Sequence, residues 1–465
     1  MNIFTAPSTN WAQWLTPSAG FPTLQWSLLL ALAALVGHLV QRYSGLPKVL
    51  GYSMVGTLAG LAGFGGAGWP LQGVGLFLLE LGVAVVLFEA GGRLALRWFR
   101  HNPMLLVQSA AESALTFVAV YLAMRWFGVA PQVAQALALV AMAASPAVLT
   151  RVVMDTRASG PVTERAILLS TLNTFYALVL CSAKASLMQR GPAGWMDAVY
   201  PVVVILGVSF AVGGLLALTL RGALRMMSPT SENTAMLLLA LIAAAAALAA
   251  HLGASAPLAA LIGGVLLKQL NPRPWAWPRQ LGTASSILVM LMFVLVSTVA
   301  AQADWSGPVA ALVAALVLAR ALAKIMGVAL ANVGSGARFK QALWVGCAMT
   351  PMSSIALLMV SQFALASARF GPEIARIALP AILLMEVLGA MLVTVALYRA
   401  GESGKPWQPV PFGNAAGSGA GNGAGNGAGN GAGNGAGNSF GNMAETMTRH
   451  SPDSVSVQAS GANHG

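Results

Sequence analysis

Four ionisable side chains stand near the middle of otherwise apolar stretches: Glu80, Glu112, Arg320 and Glu386. A charge at the centre of a lipid-crossing helix is costly, so it marks an ion or proton site, or a pair that ties helices together. An unpaired arginine there is unfavourable. Arg320 is therefore expected to face a carboxylate, which Glu112 or Glu386 can supply. Lys324 follows Arg320 by one turn on the same face and is expected to snorkel towards the surface. Glu89 lies nine residues after Glu80. At about 100° per residue the two fall on opposite faces of one helix and cannot share a site.

Uncharged polar groups add to this set. Two apolar stretches about 205 residues apart carry a mid-span proline: Ser145-Pro146-Ala147, and Thr350-Pro351-Met352-Ser353-Ser354. Proline breaks a helix and frees backbone carbonyls. In lipid that is tolerated only where the broken backbone is buried in protein or lines a polar cavity. The freed carbonyls, with the hydroxyls of Ser145, Thr350, Ser353 and Ser354, can coordinate a small cation, although a single Ser or Thr also commonly bonds back to its own helix. Asn173 and Thr174 place an amide and a hydroxyl mid-span in a third stretch. Matched helix breaks in two halves point to the binding site of an inverted-repeat transporter.

The elements that must position these groups are helices in lipid. Of 465 residues, 57% are hydrophobic and 8% charged, against roughly 25% charged in soluble proteins. About thirteen apolar spans are expected, near 24–41, 47–63, 71–92, 104–124, 132–154, 166–187, 199–220, 234–252, 256–270, 283–303, 308–331, 341–364 and 377–398. The fold class is thus all-α and polytopic, with two discontinuous crossing helices. A second pair of markers supports the repeat: Pro47 and Pro257 each open a span, with Gly56 and Gly60, or Gly263 and Gly264, further on. Pro suits a first helical turn, and Gly permits close helix approach.

Alternate loops divide the basic residues unevenly. Only Arg125, Lys184, Arg190, Arg369 and Arg376 fall on one side, and most of the remaining Lys and Arg fall on the other. The positive-inside rule puts the second side in the cytoplasm. The N-terminal segment 1–23 is then extracytoplasmic, the C-terminus is cytoplasmic, and the setting is a bacterial-type inner (plasma) membrane. The net charge of +12 is accordingly a matter of topology rather than a nucleic-acid surface. Residues 1–23 lack the basic n-region of a signal peptide. Residues 401–465, rich in Gly, Asn and Ala, read as a disordered cytoplasmic tail. Cys181 and Cys347 make neither a disulfide framework nor a metal site. No hydrolase or nucleotide-loop motif is present, so neither an enzyme nor a cofactor is implied.

On these residues the chain resembles the monovalent cation:proton antiporter superfamily, which includes the sodium/hydrogen exchangers, over roughly residues 24–398. Leu46-Pro47-Lys48-Val49-Leu50-Gly51-Tyr52 is similar to the opening of its second span, and Val86-Leu87-Phe88-Glu89-Ala90-Gly91-Gly92 to its Leu-Phe-Glu-Gly-Gly stretch. Ser145-Pro146-Ala147-Val148 resembles the first crossing helix, and Leu252 to Gly264 the matching opening in the second half. The resemblance implies a homodimer in lipid, with scaffold spans at about 24–92 and 199–303 and moving core spans at about 104–187 and 308–398. It implies exchange of Na⁺ or K⁺ for H⁺ by alternating access. Asn173 and Thr174 would ligate the cation, Ser145, Thr350 and Ser353 would line the breaks at Pro146 and Pro351, and Arg320 would balance Glu112 or Glu386. The sequence departs from the family at one position: relatives carry an ion-binding Asp where this chain has Thr174. Three readings stay open, namely antiport through Glu112 or Glu386, transport of another solute such as an organic anion drawn by Arg320, and a membrane sensor or scaffold that does not transport.

Overall fold

A computed structural model describes residues 22–64, 73–94, 102–190, 195–228, 231–271, 279–352 and 354–404, together with residues 71, 96 and 99. Residues 1–21, most of the tail from 405 onwards, and Ser353 lie outside the described residues. The described chain is all-helical: α1 (Pro22–Ser44), α2 (Lys48–Leu61), α3 (Gly73–Arg93), α4 (Met104–Trp126), α5 (Pro131–Met142), α6 (Pro146–Thr156), α7 (Pro161–Arg190), α8 (Trp195–Met226), α9 (Glu232–His251), α10 (Ala256–Leu270), α11 (Arg279–Ala301), α12 (Gly307–Leu330), α13 (Phe339–Ala348), α14 (Ser354–Ala366) and α15 (Gly371–Arg399). Proline sits in the first turn of α5, α6, α10, α12 and α15, where a missing N–H costs nothing.

Ten helical stretches, α5–α6 counted as one, are long and apolar enough to cross a membrane. The expected count of thirteen is therefore not established. The shortfall is one of length: α2 has 14 residues, α10 has 15, and α13 and α14 have 10 and 13, whereas a straight crossing needs about 20.

The inverted-repeat pattern is visible in the numbering and in the packing. Helices α2 to α7 recur as α10 to α15, with starting residues offset by 203 (Met104 to Gly307) to 210 (Pro161 to Gly371). The pairing between halves is reciprocal. Helix α2 packs on α11 while α3 packs on α10, and α6 packs on α15 while α14 packs on α7. Packing is densest within two helix groups, α1–α3 with α8–α11 and α4–α7 with α12–α15, and α7 also packs on α8.

The breaks follow from local chemistry. The residue before a proline is pushed out of the helical region, and Ser145 has φ −110° and ψ 94° before Pro146 opens α6. Ala143 is also extended, with φ −59° and ψ 136°. Thr350 stands in the same relation to Pro351 between α13 and α14.

Candidate functional site

An α-helix ends with four carbonyls that lack intrahelical donors. At the end of α5 and in the break just beyond it, the carbonyls of residues 141 to 144 are each met by a side chain from another helix. The Ala141 carbonyl accepts from Arg320 Nε at 3.0 Å, and that of Ala143 from Arg320 Nη2 at 2.7 Å. The Met142 carbonyl accepts from Lys324 Nζ at 3.0 Å. The Ala144 carbonyl accepts from the Thr174 hydroxyl at 2.9 Å, which also donates to Ser170 one turn back in α7. Arg320 reaches the second break as well. Nη1 donates to the Thr350 carbonyl and, at 3.3 Å, to Met385 Sδ; Nη2 donates to the Pro351 carbonyl at 3.2 Å. One fully buried guanidinium thus joins both breaks, a task suited to its planar fork of five donors.

This corrects the expectation that Arg320 balances a carboxylate. Its donors go to backbone carbonyls and one thioether, and the cation that bonds Glu112 is Lys324. Lys324 does not snorkel: it is fully buried and pairs with Glu112 at 2.9 Å, with both side chains 0% exposed. The shift of one turn has a packing cause. A Cβ at Gly327 would lie 2.8 Å from the Glu112 Cα, so the absence of a side chain there lets α12 approach α4 closely and sets Glu112 level with Lys324.

Glu112 is satisfied on both oxygens. Oε1 accepts from Lys324 and from Thr116 at 2.9 Å. Oε2 accepts from the Asn173 side-chain amide, whose own oxygen takes the Ser109 hydroxyl at 2.7 Å. Glu112, Asn173, Thr174, Lys324 and Arg320 are therefore brought together around the breaks, all of them buried. Ser145 caps α6, accepting from the Val148 N–H at 3.4 Å. The Thr350 hydroxyl turns back to the Cys347 carbonyl at 2.8 Å. Ser354 is buried, and its hydroxyl has no hydrogen-bond partner among the described residues.

Glu386 stands apart from this cluster. It projects from α15 towards the other helix group, where Oε1 accepts from Ser53 of α2 at 2.5 Å and from Ser297 of α11 at 3.1 Å. Glu89 bonds to Arg93 at 2.6 Å and Glu80 is half-buried, both on α3.

Sequence reasoning did not single out Ser109, Thr116, Ser53 or Ser297. For the first two a signal was available: Ser109, Glu112 and Thr116 repeat at helical spacing on one face.

The seam between the two helix groups has a cavity at each end. At the basic end Glu89, Arg93, Thr150, Arg151 and Ser285 line a space of about 30 Å³, room for one water. At the opposite end Gln302, Asp304, Ala364, Pro372, Arg376 and Leu379 line one of about 590 Å³. Asp304 bonds to Arg376 at 2.8 Å across its mouth. The Asp304 carboxyl is held below the usual carboxylate range, first by the Ser306 backbone N–H and then by Arg376.

A family model described as "Sodium/hydrogen exchanger, transmembrane" matches residues 28–398. No curated protein sequence matches the chain. Among solved structures, the sodium proton antiporter MjNhaP1 from Methanocaldococcus jannaschii at pH 8 is similar, with a TM-score of 0.56 and 16% identity, covering 81% of this chain and 97% of that one. A structure of the same antiporter from an electron-microscopy map gives a TM-score of 0.59 at 16% identity, covering 83% and 97%.

Proposed function

The chain belongs to the sodium/hydrogen exchanger family, and from that premise we propose that it exchanges a monovalent cation, Na⁺ or K⁺, for protons by alternating access. The observation that carries this reading is the buried carboxylate of Glu112, shared by the Lys324 ammonium and the Asn173 amide where the two broken helices meet. A cation entering there competes with Lys324 for one carboxylate. With Arg320 already buried close by, a further positive charge beside the one Glu112 carboxylate is strongly unfavourable in a dry site, so Lys324 gives up its proton as the cation binds and regains it as the cation leaves. Asn173 and Thr174 supply neutral oxygens, and Ser145 and Thr350 border the breaks at Pro146 and Pro351. The exchange keeps its chemistry although residue 174 is a threonine, because the competing carboxylate comes from α4.

Helices α4–α7 and α12–α15 form the moving core and α1–α3 with α8–α11 the scaffold, in a homodimer set in a bacterial-type inner membrane with the basic end cytoplasmic. The organic-anion reading loses its footing, since the donors of Arg320 already serve carbonyls rather than an open cavity.

The test is proton movement in vesicles holding the purified protein when Na⁺, K⁺ or Li⁺ is added. Cation-dependent proton movement is expected, and it is lost in Glu112→Gln. No movement with any cation, in vesicles where a known exchanger works, sinks antiport and leaves the sensor reading.

A further inference from the structure

Among the described residues, polar ties cross the seam between core and scaffold at three levels. At the basic end the Asp155 carboxylate of α6 accepts the Lys48 N–H of α2 at 3.0 Å. At the opposite end Asp304 and Arg376 pair in the open, 43% and 54% exposed. The middle tie is Glu386. It is 1% exposed and takes two scaffold hydroxyls on Oε1, while Oε2 is buried with no hydrogen-bond partner among the described residues. A carboxyl that merely knits helices uses both oxygens, and an orphaned buried acceptor calls for an explanation.

The charge around Glu386 is uncompensated. Helix α15 packs on α2, α5, α6, α11, α12, α13 and α14. Their described charged and titratable groups are Lys48, Tyr52, Arg151, Asp155, Arg320, Lys324, Lys340 and Cys347, and none of them bonds to Glu386. Arg279 opens α11, eighteen residues or about 27 Å from Ser297 along the helix. On α15 itself, Glu373, Arg376, Tyr398 and Arg399 lie at its two ends. Lys324 is taken by Glu112 and Arg320 by the breaks. A buried carboxylate left alone is costly, and with no fixed cation bonded to Glu386 a proton is what neutralises it most simply.

The surroundings couple that ion to movement. Ser53 and Ser297 form a fixed seat, because α2 and α11 touch: a Cβ at Gly56 would lie 2.6 Å from the Val294 carbonyl, and Thr298 donates to the Gly56 carbonyl at 3.1 Å. Glu386 rides with the breaks instead. Its neighbour Met385 meets Arg320, and Gly389 one turn on lies against Pro351.

We propose that Glu386 is a second proton site, which carries one proton with the core in each cycle in addition to the exchange at Glu112. The inference rests on the antiport reading above. In the proton-loaded stroke Glu386 is a neutral acid and Lys324 an ammonium. In the cation-loaded stroke Glu386 is a carboxylate and Lys324 a neutral amine. Two protons then cross for one cation, and one net charge moves.

The test uses the full chain in proteoliposomes with the voltage collapsed by a permeant anion. Wild type should stall when a tenfold proton gradient is opposed by about a hundredfold cation gradient, and Glu386→Gln by about a tenfold one. A one-to-one wild type, an unchanged stall point in Glu386→Gln, or complete loss of exchange in a monodisperse Glu386→Gln each overturns the proposal. A second readout needs no transport: the infrared carboxylic-acid C=O band of the purified protein across pH. A band absent in Glu386→Gln and shifted in Ser53→Ala supports the proton site even if antiport itself fails. No such band at any pH, or one indifferent to Ser53→Ala, overturns it.

Discussion

Replacing Lys324 with methionine separates a cation site from a purely structural pair. The Glu112–Lys324 contact is 2.9 Å long with both side chains fully buried, and removing one partner of a buried pair costs about 3–5 kcal/mol because the other charge is left uncompensated. Thr116 and Asn173 continue to donate to Glu112, so the loss belongs at the lower end of that range. If Glu112 also binds the transported cation, Lys324→Met opens a place for it. A cation at a hundred times its dissociation constant then restores about 2.7 kcal/mol, whereas wild type, where lysine competes, gains much less. The assay is thermal unfolding of the purified protein followed by tryptophan fluorescence, with Na⁺, K⁺ or a bulky organic cation as the only monovalent ion. The double variant Glu112→Gln with Lys324→Met should recover most of the loss and respond to no cation. Equal cation stabilisation of wild type and Lys324→Met, or none in either, refutes the assignment of Glu112 as the competed carboxylate.

The remaining expectations concern the breaks, the helix contact and the outer tie. Arg320→Ala strips donors from the Ala141, Ala143, Thr350 and Pro351 carbonyls at a cost of about 1–3 kcal/mol for each one left unmet; it should give little monodisperse protein, Arg320→Lys an intermediate yield, and a wild-type yield of Arg320→Ala counts against the capping role. Gly327→Ala forces α12 off Glu112 and should destabilise by about 1–3 kcal/mol, while Gly222→Ala, with nothing within 4 Å, should unfold like wild type in the same melt. Asp304 has its folded pKa lowered, so the contribution of its charged form is present above the ordinary aspartate value and lost only as pH falls through the lowered one. Asp304→Asn should therefore leave the pH profile of exchange unshifted between about pH 6 and 9, above the usual aspartate range of about 4; a shifted profile in that window disproves this.

The architecture was largely legible because lipid imposes few solutions. Long apolar runs, alternating basic loops and proline pairs at one offset specify helices, repeat and breaks, and α5–α6 and α13–α14 break at Pro146 and Pro351 as written in the sequence. The partners of the charges were not legible. Spacing along α12 puts Arg320 and Lys324 on one face, but which of them meets Glu112 depends on how far α4 slides along α12, and that is set by the bare backbone of Gly327. Ser53 and Ser297 carry no sequence signal, since a serine that bonds its own helix and one that bonds a distant carboxyl look alike in the chain. Thr174 read as a lost carboxylate; in the structure its hydroxyl completes the cap of the first break.

The positive side chains and the broken helices explain one another. Six carbonyls at the two breaks need donors that lipid cannot provide, and one arginine, one lysine and one threonine supply them. Two cations buried for that purpose need negative charge nearby, which Glu112 supplies to Lys324 directly. Any ion that displaces Lys324 from Glu112 must also loosen the Met142 carbonyl, because the same ammonium holds both. Binding at the carboxylate is thereby felt at the end of α5, beside the carbonyls that Arg320 links to the second break. Under the proposed antiport, the element that senses the ion is the element that must rearrange for the site to change sides, so exchange and movement would share a single lysine.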